Sequence, residues 1–128
     1  MVSDVHEITG IGEVHGIGEF SVAEETLGFG DDAEKVTVYK VPTLDLADKV
    51  DSADYVDEGP RAFLIIRKNT IEVRTDSKLR DLLREKYESV MESRYFGKGG
   101  IEIVNAGQLD DEEIKDLVRL SYNLTREM

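Results

Sequence analysis

The most regular alternation of apolar and polar positions lies in the second half of the chain. From 76 to 93, Leu79, Leu82, Leu83, Val90 and Met91 recur at three- and four-residue spacing, with Lys86 and Tyr87 in the turn between. That is one apolar stripe on a 3.6-residue period. Lys78, Arg80, Asp81, Arg84, Glu85, Glu88 and Glu92 occupy the other side. Asp76 stands where an N-cap carboxylate receives the free N–H groups of a first turn. The pattern predicts a helix over 77–93 with Leu82 in the core.

A second helix is predicted over 110–126. Asp110 and Glu113 have the spacing of a capping box, and Leu109 and Ile114 that of a hydrophobic staple. Ile114, Leu117, Val118, Ser121 and Tyr122 form its inward stripe, with Leu117 in the shared core. The acidic run at 110–113 complements the positive end of the helix dipole, so capping explains it better than metal binding.

The remaining pattern has period two or no period. Residues 34–41 alternate and stop at Pro42, which reads as a strand. The run RAFLIIR (61–67) is apolar on successive residues and reads as a central strand. Lys68-Asn69 turns it into a strand over 70–74, with Ile71 and Val73 inward. Residues 97–100, GKGG, read as a flexible turn before a strand over 101–104. In 5–20, VHEITGIGEVHGIGEF, the glycines disfavour a helix, and His15-Gly16 marks a hairpin turn with Ile11/Val14 and Ile17/Phe20 on its arms. Residues 20–30 read as irregular or partly helical.

The fold class that follows is α+β: a mainly antiparallel sheet with helices on one face, in two layers. The 128 residues make one domain by length. Residues 61–128 form its strand–strand–helix–strand–helix half, and 1–60 an irregular, acidic half.

Charge sharpens that division. Residues 1–60 carry 15 acids and 3 bases, whereas 61–128 carry 13 of each, so the whole net charge of −12 belongs to the first half. Such a field repels nucleic acid and anionic membranes and attracts basic partners or cations; the simpler reading is solubility, or adaptation to a salty or hot cell. Five aspartates, Asp45, Asp48, Asp51, Asp54 and Asp57, recur every third residue. On an α-helix each step slips about 60° around the axis, so they fan out instead of converging on one metal. They are the candidate interaction surface. No apolar run approaches the roughly 20 residues of a membrane helix, and the first ten residues lack the pattern of a signal peptide. Cytoplasmic location is the expectation.

The residue types also narrow the chemistry. There is no cysteine, which removes disulfides, thiolate metal sites and Cys nucleophiles. The glycines at 10–18 lack a P-loop pattern and a nearby lysine. His6 and His15 with Glu7, Glu13 and Glu19 have ligand chemistry, yet two histidines in an acidic, glycine-rich stretch read more simply as surface residues. With no histidine in the patterned half, no catalytic residue, cofactor or metal ligand is assigned.

Residues from about 61 to 125 resemble the MmcQ/YjbR-like family. The resemblance lies in the strand pair, LRDLLREKYESV (79–90), a loop, a strand, and QLDDEEIKDLVRLSYNL (108–124) with Ser121-Tyr122 near its end. It implies an antiparallel sheet with helices on one side, similar to CyaY-like and secretion-chaperone-like proteins. It also implies DNA binding, which has been proposed for the family, and no settled enzymatic activity. Many members carry His and Trp on the strand after the long helix; here that strand, GGIEIV, has neither, so nothing resting on them carries over. The expected role is a non-enzymatic protein-interaction or regulatory module using the acidic half or an exposed sheet edge, with a basic protein or peptide as partner. The alternatives are a divalent-cation-binding protein, or a DNA-binding module with Arg67, Lys68, Arg74, Arg94 and Lys98 as the candidate patch.

Overall fold

Four consecutive buried residues, Ala62 to Ile65, need apolar cover on both faces of their strand, and the fold is arranged to supply it. The computed structural model describes residues 5–8, 10–42, 60–105 and 107–127. Within them the chain runs β1 (Val5–Ile8), β2 (Gly12–His15), β3 (Ser21–Leu27), a 3-10 turn (Gly30–Asp32), β4 (Glu34–Val41), β5 (Arg61–Ile66), β6 (Thr70–Arg74), α1 (Ser77–Lys86), β7 (Val90–Ser93), β8 (Gly97–Val104) and α2 (Asp111–Arg126). Six strands form one antiparallel sheet in the order β3-β4-β5-β6-β8-β7, and β1-β2 form a separate two-stranded sheet. The fold is α+β, as the pattern predicts.

One face of the large sheet is covered by the helices. Tyr39, Val41, Phe63, Leu64, Ile71, Val73, Ile101 and Ile103 point into a core closed by Ile114, Leu117, Val118 and Tyr122 of α2. α2 lies on β5 and β6, and α1 on β7 and β8. Ser121 stitches the layers together: its hydroxyl accepts from the Arg74 N–H at 2.8 Å and donates to the Phe63 carbonyl at 2.5 Å. Those backbone groups would otherwise be left unpaired beneath the helix. The β1-β2 hairpin adds Ile8, Val14 and Ile17 to the same core. Arg119 donates to the His15 carbonyl at 3.2 Å, and the Tyr122 hydroxyl to that of Glu19 at 2.8 Å. A Cβ at Gly18 would stand 2.8 Å from that hydroxyl, so the approach requires glycine.

Both N-caps form as read, but the return half of the capping box does not: the Glu113 carboxylate accepts from the Tyr87 hydroxyl at 3.3 Å instead of from the Asp110 N–H. Asp76 accepts from the Leu79 N–H and Asp110 from the Glu113 N–H, each at 2.8 Å. Leu109 and Ile114 are both buried.

Several expectations are corrected. The helix predicted over 77–93 stops at Lys86, and Val90–Ser93 is the edge strand β7, paired with β8. Without β7, β8 would present an unpaired edge, and the poor helix formers Tyr87, Ser89 and Val90 yield to that pairing. In the shortened helix Leu79 and Leu83 lie about 40° apart around the axis and face the core, whereas Leu82 lies about 100° from Leu83 and is 59% exposed. Among the described residues of the first half, 21–27 is not irregular or partly helical but a complete strand paired with β4 at every position, and the first hairpin turns between Ile8 and Gly12, not at His15-Gly16. GKGG is strand, not turn. A Cβ on Gly100 would lie 2.3 Å from the Val73 carbonyl oxygen, so glycine is what lets β8 close on β6 and the Phe96 ring.

Candidate functional site

The face of the sheet away from the helices carries an apolar patch of Val36, Val38, Ala62 and Ile65, packed by Leu27, Tyr95 and Phe96. Next to it is a lattice of charges. Glu72 and Glu102 stand directly opposite each other on β6 and β8, and both are almost wholly buried. Two like charges in that position repel, and the surrounding side chains answer both. Glu72 accepts from Arg67 Nε at 2.5 Å, from the Ser93 hydroxyl at 2.6 Å and from the Tyr95 N–H at 2.8 Å. Glu102 takes a two-pronged guanidinium contact from Arg94, at 2.9 and 2.6 Å, and the Thr70 hydroxyl at 2.7 Å. Glu34 lies 2.9 Å from Arg67 and 3.7 Å from Arg94, joining the two halves.

The electrostatics follow from these contacts. Burial pushes the Glu102 carboxyl pKa up, but the hydrogen bonds from Arg94 and Thr70, with the charges of Arg94 and Arg67, outweigh it and hold the pKa below its ordinary value. The hydrogen bond to Glu102 raises the Arg94 pKa in turn. A carboxylate fixed in its ionised form is a poor proton donor at neutral pH. The lattice pins the turns at 67–70 and 94–96 to the sheet. A concavity of about 520 Å³ opens beside it, lined by Glu34, Lys68, Thr70, Met91, Arg94 and Glu102 among others.

The candidate nucleic-acid patch is divided by this arrangement. Lys68 and Arg94 line the concavity with Thr70 and Glu102, Arg67 is held by Glu72 and Glu34, and Arg94 is held by Glu102. Arg74 and Lys98 lie toward the other end of β6 and β8. Arg74 donates to the Ala62 carbonyl at 2.7 Å and lies over the Phe96 ring, 4.7 Å from its centroid. The Lys98 carbonyl accepts from Arg80 at 2.6 Å. Lys68 and Lys98 have no ion-pair partner among the described residues. Asp45, Asp48, Asp51, Asp54 and Asp57 lie outside the described residues. His6 is paired with Val14 and His15 with Val5, so the two imidazoles leave opposite faces of the hairpin. Among the described residues, no group of three or more acidic or histidine side chains is placed to hold a metal.

The two edges of the sheet differ. β7 is four residues long, with a register shift between Glu92 and Ser93. β3 is seven residues long, pairs with β4 without a shift, and has no neighbour on its outer side among the described residues. Its residues are exposed except Glu25 and Leu27, which are half-buried. Glu25 pairs with Lys40 at 3.3 Å, whereas Glu24 has no ion-pair partner among the described residues. Glu19, Asp31 and Asp32 flank the strand and are exposed. Val22 on the strand and Phe29 just beyond it, 93% exposed, are the large apolar side chains on this edge.

Comparison of the chain with family models, curated proteins and solved structures finds no match, and the MmcQ/YjbR resemblance stays one of pattern. Neither the lattice nor the open edge was assigned from sequence. The lattice had a faint signal: TIEVR and GIEIV each set one glutamate in the middle of a strand whose other alternate positions are aliphatic. The edge had none, because SVAEETL has no strict alternation and its role depends on which strand ends up outermost.

Proposed function

We propose that the protein is a non-enzymatic interaction module that binds a basic, extended segment of a partner protein along β3. The observation that carries this reading is the outer strand itself: seven residues, mostly exposed, with Glu24 and Glu25 at its centre, Glu19, Asp31 and Asp32 beyond its ends, and apolar Val22 and Phe29 available for contact. Opposite charge steers the encounter, while main-chain and apolar contacts hold the complex. The DNA alternative has less support, since Arg67, Arg74 and Arg94 are engaged by internal partners and the net charge is −12.

Amide shifts of labelled protein, followed during titration with a lysine-rich peptide, duplex DNA and Ca²⁺, test this. The peptide is expected to move resonances of 21–32 and to bind more weakly as salt rises, because the Debye length shrinks from about 10 Å at 0.1 M to about 3 Å at 1 M. Glu24→Lys is expected to weaken it. Micromolar shifts of residues 61–100 by DNA, with none at 21–32 by the peptide, would replace this reading with the nucleic-acid one.

A further inference from the structure

We infer that the partner joins the sheet as an added β-strand with Lys or Arg opposite Glu24, and that Glu24 keeps a second copy of the chain from taking the same place. This rests on the interaction reading above and specifies its mode. β3 pairs with β4 at all of its seven positions without a register shift, so among the described residues its outer side presents an unbroken row of N–H and C=O groups. Proteins usually blunt such an edge with proline, lysine, a bulge or brevity. The opposite edge does so: β7 has four residues and a register shift. β3 has none of these devices. It has glutamates instead.

The two-fold geometry of self-pairing shows what those glutamates do. Antiparallel pairing of β3 with β3 of a second copy keeps each residue on its own face, so only registers that pair a residue with its own equivalent are allowed. Full overlap sets Glu24 against Glu24. Sliding by two residues toward the C-terminus sets Glu25 against Glu25. The opposite slide shortens the overlap by the same amount and sets Glu24 against Val22. Like charges directly opposite disfavour pairing, and opposite charges favour it. Lys40 already neutralises Glu25, which leaves Glu24 as the charge a partner must answer. Full overlap is therefore closed to its own sequence, and the edge is open to a basic one. At the strand's exit Phe29 has an extended backbone between Gly28 at φ +90° and Gly30 at φ +59°. Its ring stays exposed for the end of the added segment.

The test uses the full chain and a short peptide of alternating Lys and Val. Hydrogen exchange by NMR is expected to slow at alternate β3 amides when the peptide binds. Glu24→Thr, which leaves a good strand former at an exposed site, is expected to bind the peptide about two- to fivefold more weakly, the span of one opposite-charge cross-strand pair. It is also expected to self-associate in sedimentation velocity where the wild type stays monomeric. Peptide binding with unchanged β3 exchange overturns strand addition and leaves the interaction reading standing. A monomeric Glu24→Thr protein, or a wild type that dimerises through β3, overturns the exclusion of a second copy. If the peptide does not bind at all, both readings fall.

Discussion

The two faces of the six-stranded sheet solve the same burial problem in opposite ways. Under the helices, Phe63, Ile71, Val73, Ile101 and Ile103 meet aliphatic and aromatic side chains of α2 and the hairpin. There the stabilisation is non-directional and follows the apolar area removed from water. On the other face, one residue along each strand, Glu72 and Glu102 are buried to the same degree but are held by directed bonds from two guanidiniums, two hydroxyls and a backbone N–H. A buried charge lattice need not add net stability over an apolar isostere, yet it is costly to break at one member. The first face sets how tightly the layers adhere. The second sets where the turns at 67–70 and 94–96 sit.

Breaking each face at one residue should give similar losses for different reasons. Phe63→Ala removes a ring packed edge-on to those of Tyr39 and Tyr122 and is expected to cost about 3–5 kcal/mol in urea melts. Glu72→Ala should cost about as much by leaving Arg67 buried beside Glu34 alone. The difference emerges when the partner is removed too. Arg67→Met combined with Glu72→Leu is expected to recover roughly half or more of the Glu72→Ala loss, whereas no second substitution nearby restores the missing ring. A double variant no more stable than Glu72→Ala would show that the lattice is not the reason for the loss.

A smaller effect separates the faces by pH. The Glu102 carboxyl has a lower pKa folded than unfolded, despite the opposing effect of burial, because of its hydrogen bonds and the neighbouring guanidiniums. Its contribution is therefore fully present above the unfolded value of about 4.3 and is lost as pH falls through the folded one. The stability gap between wild type and Glu102→Gln should be widest at neutral pH and shrink below about pH 4. The gap for Phe63→Ala should change little over the same range. Parallel pH dependence in the two gaps would contradict this account of the charged face.

The smallest expected effect lies at the rim of the apolar face. Leu82→Ala should cost no more than about 0.5 kcal/mol, because Leu82 is 59% exposed and lies away from the Leu79–Leu83 line. A loss of about 2 kcal/mol or more would mean that α1 is rotated from its described orientation.

How far the sequence reaches is best seen in α1 and α2. For α2 the cap, the staple and the stripe agree, and every residue read as inward is buried: Ile114, Leu117, Val118, Ser121 and Tyr122. Local propensity and tertiary packing point the same way there. For α1 the cap was legible and the end was not. The stripe through Val90 and Met91 is compatible with helix, and only the open side of β8 makes those residues a strand. The same kind of decision made 21–27 a strand and Gly100 a close-contact position.

By itself the sequence determined the strands at 34–41 and 70–74, the last helix with its cap, the α+β class, and the confinement of the net charge to residues 1–60. Each of these depends on periodicity, capping or composition, which a residue carries wherever the chain goes. Tertiary structure alone decided that Glu72 and Glu102 would face each other, that Arg67 and Arg94 would be drawn in to answer them, and that β3 would be outermost, with Glu24 unanswered, among the described residues. These are matters of strand order and register. A pairing that brings residue 72 beside 102 leaves no mark on either neighbourhood, because the partners are distant in the chain and meet only when the sheet closes.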